Sequence, residues 1–323
     1  MNELHGTPIA RIPGTCDRRH GLARPLMPVR TRACATPPPA GAPRTAFVLA
    51  GGAALGAMQA GMLHALYERG IVPDLLVGTS AGALNAAYVA SRPQTVATAQ
   101  ELGAVWSGLR RKDVFPLRPA ALLTGLAGRR DHLVCDHGLR RLATRHLEIT
   151  RLEEASIPLH LIACDLLSGQ EVRLSKGPAI EAVLASTAIP GLLPPVWMGS
   201  RLLADGGVSN NTPISHAIEL GAERVYILPT ENPGARALPR RPPRGAPPGA
   251  AVSALTQLFG ARLQADLARY ATTVEMIVLP AVNPQHIPLT SFTHARDLIA
   301  QALTAARTVL AAHDAHPAWA RAS

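Results

Sequence analysis

At 323 residues the chain is long enough for one large α/β domain whose core needs neither disulfides nor metals. Hydrophobic residues at 47% against 17% charged make most of it globular, and an aromatic share of 3% leaves the core to Ala, Leu, Val and Ile and argues against aromatic stacking on nucleic acid. The net charge of +10 is uneven: residues 1–44 hold seven arginines against Glu3 and Asp17, half of the excess, while the mildly basic remainder suits a solvated surface, an anionic membrane surface or acidic partners.

Residues 1–44, with Pro37-Pro38-Pro39 and scattered Arg, show no periodicity and read as a disordered basic tail. Ala46 to Ala50 is a short apolar run that reads as a strand buried on both faces, and Gly51-Gly52 ends it. Gly56 to Arg69 is helical, with Met58, Met62, Leu63 and Leu66 on one side and Gly70 as C-cap. Pro73 to Val77 is a second strand, and Ser80 to Ala90 a second helix that stops before Pro93. This alternation implies a parallel sheet with crossover helices, its functional loops at the carboxyl ends of the strands.

Residues 95–155 read as mainly helical, broken near Asp113-Val114-Phe115-Pro116 and again around 125–130. Leu159 to Leu166 is a further strand, turned by Ser168-Gly169 into a hairpin with Glu171 to Leu174. A helix from Pro178 to Ser186 leads to a second hairpin, Val196 to Met198 with Arg201 to Ala204, closed by Asp205-Gly206-Gly207. Thr212 is placed to cap a helix with Pro213 at its first position, running to Leu220, and Arg224 to Leu228 is another buried strand. Asn232 to Ala250, with six prolines, four arginines and no acid, reads as a long mobile surface loop. Two amphipathic helices, Val252 to Tyr270 and Phe292 to Ala312, flank a last strand from Thr273 to Leu279.

Cys16, Cys34, Cys135 and Cys164 are too scattered for a zinc site or a disulfide framework, so the thiols are expected reduced, in a cytoplasmic setting. No apolar run reaches the ~18 residues of a membrane span and no apolar stretch marks a secretory signal, so membrane contact would be peripheral.

Gly78-Thr79-Ser80-Ala81-Gly82 is the chemical centre of the chain. In a Gly-x-Ser-x-Gly elbow the serine sits on a sharp strand-to-helix turn, and the flanking glycines remove side chains that would collide across it. The helix N-terminus then favours an oxyanion beside Ser80. The loop Gly51-Gly52-Ala53-Ala54-Leu55-Gly56 has Walker-like glycine spacing, but Ala57 stands where lysine must reach the phosphates, and the dinucleotide fingerprint fails at Ala53. If the first two strands are neighbours, this loop emerges beside the elbow, and backbone N–H groups near Gly52 and Ala53 are placed to receive an oxyanion. Two bases are open to Ser80: a histidine, with His286 or His294 late enough for a Ser-Asp-His order, or Asp205, which would need partial burial to raise an ordinary pKa of ~3.9.

Three blocks in this order resemble the patatin-like phospholipase family: the glycine loop leading into Ala57-Met58-Gln59-Ala60-Gly61-Met62-Leu63, the elbow followed by Ala83-Leu84-Asn85-Ala86, and Asp205-Gly206-Gly207 with Asn211-Thr212-Pro213. Ala185 to Gly191 with Pro194-Pro195 is similar to the family's pattern as well. The resemblance implies a three-layer α/β/α fold with a mainly parallel central sheet. It implies a Ser80–Asp205 dyad, an oxyanion hole from Gly51, Gly52 and Ala53, and supporting roles for Gly56, Gly78, Gly82, Gly206 and Gly207. Implied substrates are acyl esters of phospholipids, lysophospholipids and other lipids, cleaved through an acyl-enzyme without metal or organic cofactor, and the histidines become dispensable. Two rivals stand beside hydrolysis: a lipid acyltransferase with the same dyad, and a catalytically impaired lipid-binding protein. The second is motivated by Ala53 and Leu55, where the family commonly has a third glycine and a basic residue, since Ala53 would have to avoid backbone conformations open only to glycine. The expected organisation is a tail over 1–44, a catalytic core over 45–230, the Pro/Arg loop over 231–250, and C-terminal elements over 251–323 completing the same domain.

Overall fold

The computed structural model describes residues 44–116, 132–231, 247–282, 287 and 289–315. Strand β1 (Thr45–Leu49) is buried throughout and serves two cores: Phe47 and Leu49 join the cluster on one face of the sheet, Ala46 and Val48 the cluster on the other. A parallel strand covered by helices on both faces must be apolar on both, which is why this run does not alternate.

A 3-10 turn (Ala53–Ala57) feeds α1 (Met58–Glu68), which ends at Gly70 with φ +68°. There follow β2 (Leu75–Thr79), α2 (Ala81–Ala90), α3 (Val96–Gly108), the single turn α4 (Arg111–Val114) and α5 (His137–His146). β3 (Leu159–Asp165) returns through Gly169, at φ +71°, into β4 (Glu171–Leu174). Next come α6 (Ala179–Ser186), the hairpin β5 (Val196–Met198) and β6 (Arg201–Asp205), the short helices α7 (Gly207–Asn210) and α8 (Ile214–Glu219), and β7 (Arg224–Leu228). The chain ends in α9 (Pro247–Tyr270), β8 (Glu275–Val278) and α10 (Ala295–Ala315).

Strands β3, β2, β1, β7 and β8 run parallel in that order, and β4, β6 and β5 add antiparallel pairs at the β3 end. Helices α1, α2, α3, α6 and α10 cover one face; α8 and the described part of α9 cover the other. The fold is therefore a three-layer α/β/α arrangement, as the resemblance implies, with the mainly parallel sheet that the alternation implies. Gly61 lets α1 and α10 touch backbone to backbone, because a Cβ there would collide with the Ile299 carbonyl.

The pairings along β3 place the site. β2 pairs with residues 159–162, β4 with 161–164 and β6 with 163–165. A strand has two edges, so β4, which overlaps both others, must take one edge, and β2 and β6 share the other end to end. Where β2 leaves the sheet, opposite Ile162, β6 takes over, opposite Ala163.

Two sequence expectations shift. The helix expected from Val252 starts five residues earlier, at Pro247, inside the expected loop; prolines fit a first helical turn, whose N–H groups have no partner. Thr212 does not cap its helix: its carbonyl accepts the Ile214 amide at 2.8 Å in a tight turn, Pro213 is the flanking residue, and no side chain caps α8. The basic tail through residue 43, the break at 125–130, residues 232–246 of the loop and His286 lie outside the described residues. Among the described residues no helix is long and apolar enough to cross a membrane.

Candidate active site

Ser80 is the turn between β2 and α2, with φ 54° and ψ −122°, a backbone region that L side chains rarely occupy. The elbow glycines explain how it closes. A Cβ on Gly78 would lie 2.5 Å from the Gly82 carbonyl oxygen, and one on Gly82 would collide with the Leu49 carbonyl. Backbone meets backbone at both positions, so no larger residue fits. The Ser80 amide donates to Ser186 Oγ at 3.0 Å, and Ser186 Oγ donates to the Ile162 carbonyl at 2.5 Å, which ties the turn to α6 and β3.

Asp205 is the last residue of β6 and faces Ala163, one residue beyond the Thr79–Ile162 pair. That end-to-end sharing of the β3 edge brings it to Ser80 across 125 residues: Ser80 Oγ donates to Asp205 Oδ2 at 2.6 Å. The other carboxylate oxygen, Oδ1, accepts the Gly207 amide at 2.8 Å. The two glycines enter α7 rather than a hairpin turn, and Gly206 passes so close to the Ile162 carbonyl that a Cβ would collide with it. Both side chains are buried. Burial pushes Asp205 up from 3.8 to about 6, against the lowering effect of its bonds from Ser80 and Gly207.

The glycine loop lies against the elbow because β1 and β2 are neighbours. A Cβ on Gly51 would lie 3.0 Å from the Ser80 Cβ. Of the three loop amides, Gly51 is committed: it donates to the Asn211 carbonyl at 3.1 Å, which narrows the expected oxyanion hole. The amides of Gly52 and Ala53 donate to no group among the described residues. Ala53 has φ +49°, a backbone region that L side chains rarely adopt and that favours glycine, so the departure from glycine at this position carries backbone strain. Gly56 is closed off by Ala81 and the Trp106 ring.

From Ser80 and Ala53 a narrow, partly open cleft runs between Leu84, Trp106, Phe115 and Phe292, with Thr187 the other polar residue on its wall. It suits an unbranched hydrocarbon chain and little that is charged. Among the described residues neither Ser80 nor Asp205 bonds a histidine, and His294 is exposed on the turn before α10. Among the described residues no group of three His, Cys, Asp or Glu side chains could hold a metal.

Several polar residues around the site have no role in the sequence reading: Thr230, which it does not single out, and Ser186, Asn211, Gln59 and Asn85, which stand only as members of the family-like blocks. The last two carried a signal, being single amides set in the apolar helical runs Met58-Gln59-Ala60 and Leu84-Asn85-Ala86.

The family model described as "Patatin-like phospholipase" matches residues 47–218. An uncharacterized NTE family protein of Mycobacterium tuberculosis is 34% identical over 170 residues, 52% of this chain and 27% of that protein. Lysophospholipase NTE1 of Mycosarcoma maydis is 28% identical over 190 residues, 56% of this chain and 9% of that protein. The chain thus spans well under half the length of these two relatives. Among solved structures, VipD from Legionella pneumophila aligns over 84% of this chain and 67% of its own, at 15% identity and a TM-score of 0.42. The type III effector protein ExoU aligns over 84% and 52%, at 15% identity and a TM-score of 0.39.

Proposed function

The chain belongs to the patatin-like phospholipase family, and from that premise we propose that it is a serine acyl hydrolase cleaving ester bonds of lipids, of the phospholipase A or lysophospholipase type. The observation that carries the reading is the 2.6 Å bond from Ser80 Oγ to a buried carboxylate at the mouth of an apolar cleft. The name of the Mycosarcoma relative, a lysophospholipase, agrees with it.

In this reading Asp205 Oδ2 takes the Ser80 proton as Oγ attacks the ester carbonyl, and a pKa of about 6 makes it a stronger base than a free aspartate while leaving it ionised at neutral pH. The Oδ1 bond from Gly207 fixes the carboxylate so that Oδ2 faces Ser80. The oxyanion is received by the uncommitted amides of Gly52 and Ala53. As the tetrahedral species collapses, Asp205 returns the proton to the leaving alcohol and the acyl group stays on Oγ. Water then attacks, giving its proton to Asp205; the C–Oγ bond breaks, the fatty acid leaves and Ser80 recovers its proton.

The test is incubation of wild type and Ser80→Ala with a mixed lipid extract, reading by mass spectrometry which species lose an acyl chain. Release of fatty acid by wild type and none by Ser80→Ala is expected. Equal release by both would sink the reading.

A further inference from the structure

The amides of Gly52 and Ala53 can serve an oxyanion only if the loop that carries them is held with those N–H groups unpaired and with Ala53 at positive φ. Left to itself, a glycine-rich loop turns free amides toward any acceptor within reach. Something must hold it from both ends.

Gln59 on α1 and Asn85 on α2 are completely buried and meet behind the loop. Gln59 Nε2 donates to the Ala50 carbonyl at 2.8 Å and to the Leu228 carbonyl at 2.9 Å, fastening the start of the loop to β7. Its Oε1 accepts from Asn85 Nδ2 at 2.8 Å, and Asn85 Nδ2 also donates to the Gly56 carbonyl at 3.0 Å, fastening the loop's end. Asn85 Oδ1 in turn accepts the Trp106 indole N–H at 2.8 Å. Every amide proton and oxygen of this pair is engaged, and each amide has one workable orientation: turning Gln59 over would set its oxygen against two carbonyl oxygens. Trp106 is also a wall of the cleft and packs against Gly56.

We propose that Gln59 and Asn85 are positioning residues that hold the glycine loop in its amide-presenting form, and that Trp106 ties this brace to the wall of the acyl cleft. The inference rests on the hydrolase reading above. Neither amide touches Ser80 or Asp205; both act through the loop backbone.

The experiment uses the full chain, a short-chain p-nitrophenyl ester and a lysophospholipid, with thermal melting of each variant. Gln59→Leu and Asn85→Leu each lower kcat by about 10²-fold, the loss of a good oxyanion donor, with KM within about threefold of wild type and the pH midpoint unmoved. The double variant is no slower than the slower single one, because a released loop has nothing further to lose. Variants that melt cooperatively and keep kcat within about threefold of wild type overturn the proposal, as do losses in kcat that simply multiply in the double variant. Trp106→Phe guards against misfolding, since it keeps a buried ring and removes only the N–H. A kcat reduced about fivefold to tenfold on the short ester supports the tie, and a change confined to KM overturns it. Ser80→Ala in the same assay separates the two levels: if it turns over like wild type the hydrolase reading fails, whereas an inactive Ser80→Ala beside active Gln59 and Asn85 variants removes only the brace.

Discussion

Ser80 and Ala53 are the two non-glycine residues at positive φ among the described residues, at 54° and 49°, and they face the same small volume from neighbouring strands. They are held in different ways. At the elbow, Gly78 and Gly82 bring backbone against backbone, with Ser186 the main side chain recruited to the turn. At the loop, side chains from distant segments do the holding: Asn211 and Thr230 both bond the Gly51 carbonyl, while Gln59 and Asn85 hold the ends. Steric exclusion by backbone has no intermediate setting. Hydrogen-bonded side chains can be removed one at a time, so the loop is the tunable half of the site.

The largest expected effect lies at the elbow's chemistry. Ser80→Ala and Asp205→Asn should each lower kcat/KM by about 10⁴-fold or more, and replacement of any single histidine should leave it within about threefold. Steady-state assays on a lysophospholipid check this, and an essential histidine would end the dyad account. Asp205→Asn carries a second signature. With its pKa raised from 3.8 to about 6, folded Asp205 holds a proton between those values that the unfolded chain has lost, so stability falls as pH rises through that window. Above pH ~6 the buried carboxylate costs on the order of 3 kcal/mol. The inactive Asp205→Asn should therefore melt higher than wild type near pH 8 and lose that advantage near pH 4.

Next in size is the elbow's backbone. Gly82→Ala drives a methyl into the Leu49 carbonyl and should destabilise by about 3 kcal/mol or prevent folding, read by denaturant titration. A pH–rate profile comes third: kcat/KM should fall about tenfold per pH unit below a midpoint near 6, as Asp205 takes up its proton. A midpoint near 4 would mean that the carboxylate is not desolvated when it reacts. The smallest effect belongs to the loop. Ala53→Gly relieves the positive-φ penalty but adds freedom to the unfolded chain, so a net gain of about 0.5 kcal/mol is expected, with kcat changed less than tenfold. A marked loss of stability would show that the Ala53 methyl is needed for packing.

Much of the architecture was legible. The apolar run at residues 46–50 is set by continuous hydrophobicity, and the glycine turn at Gly169 and the hairpin at 196–204 by turn chemistry, all of which act over a few residues. The boundaries that slipped, at Pro247 and Thr212, are helix starts, where proline admits more than one local solution. Of the candidate site, the elbow could be read because its serine and both glycines fall within five consecutive residues. The loop's three amides look alike in sequence, and what distinguishes Gly51 is an acceptor supplied by Asn211, 160 residues away.

The sequence by itself determined which residue types were available: a serine between two glycines, an aspartate before two more, and a glycine loop after the first strand. The tertiary structure decided that Ser80 and Asp205 meet, since β2 and β6 share one edge of β3. It also decided that burial raises the carboxylate, and that two of three loop amides find no acceptor among the described residues. Strand order, desolvation and hydrogen-bond commitment depend on what the rest of the chain places nearby, and no local pattern of residues encodes them.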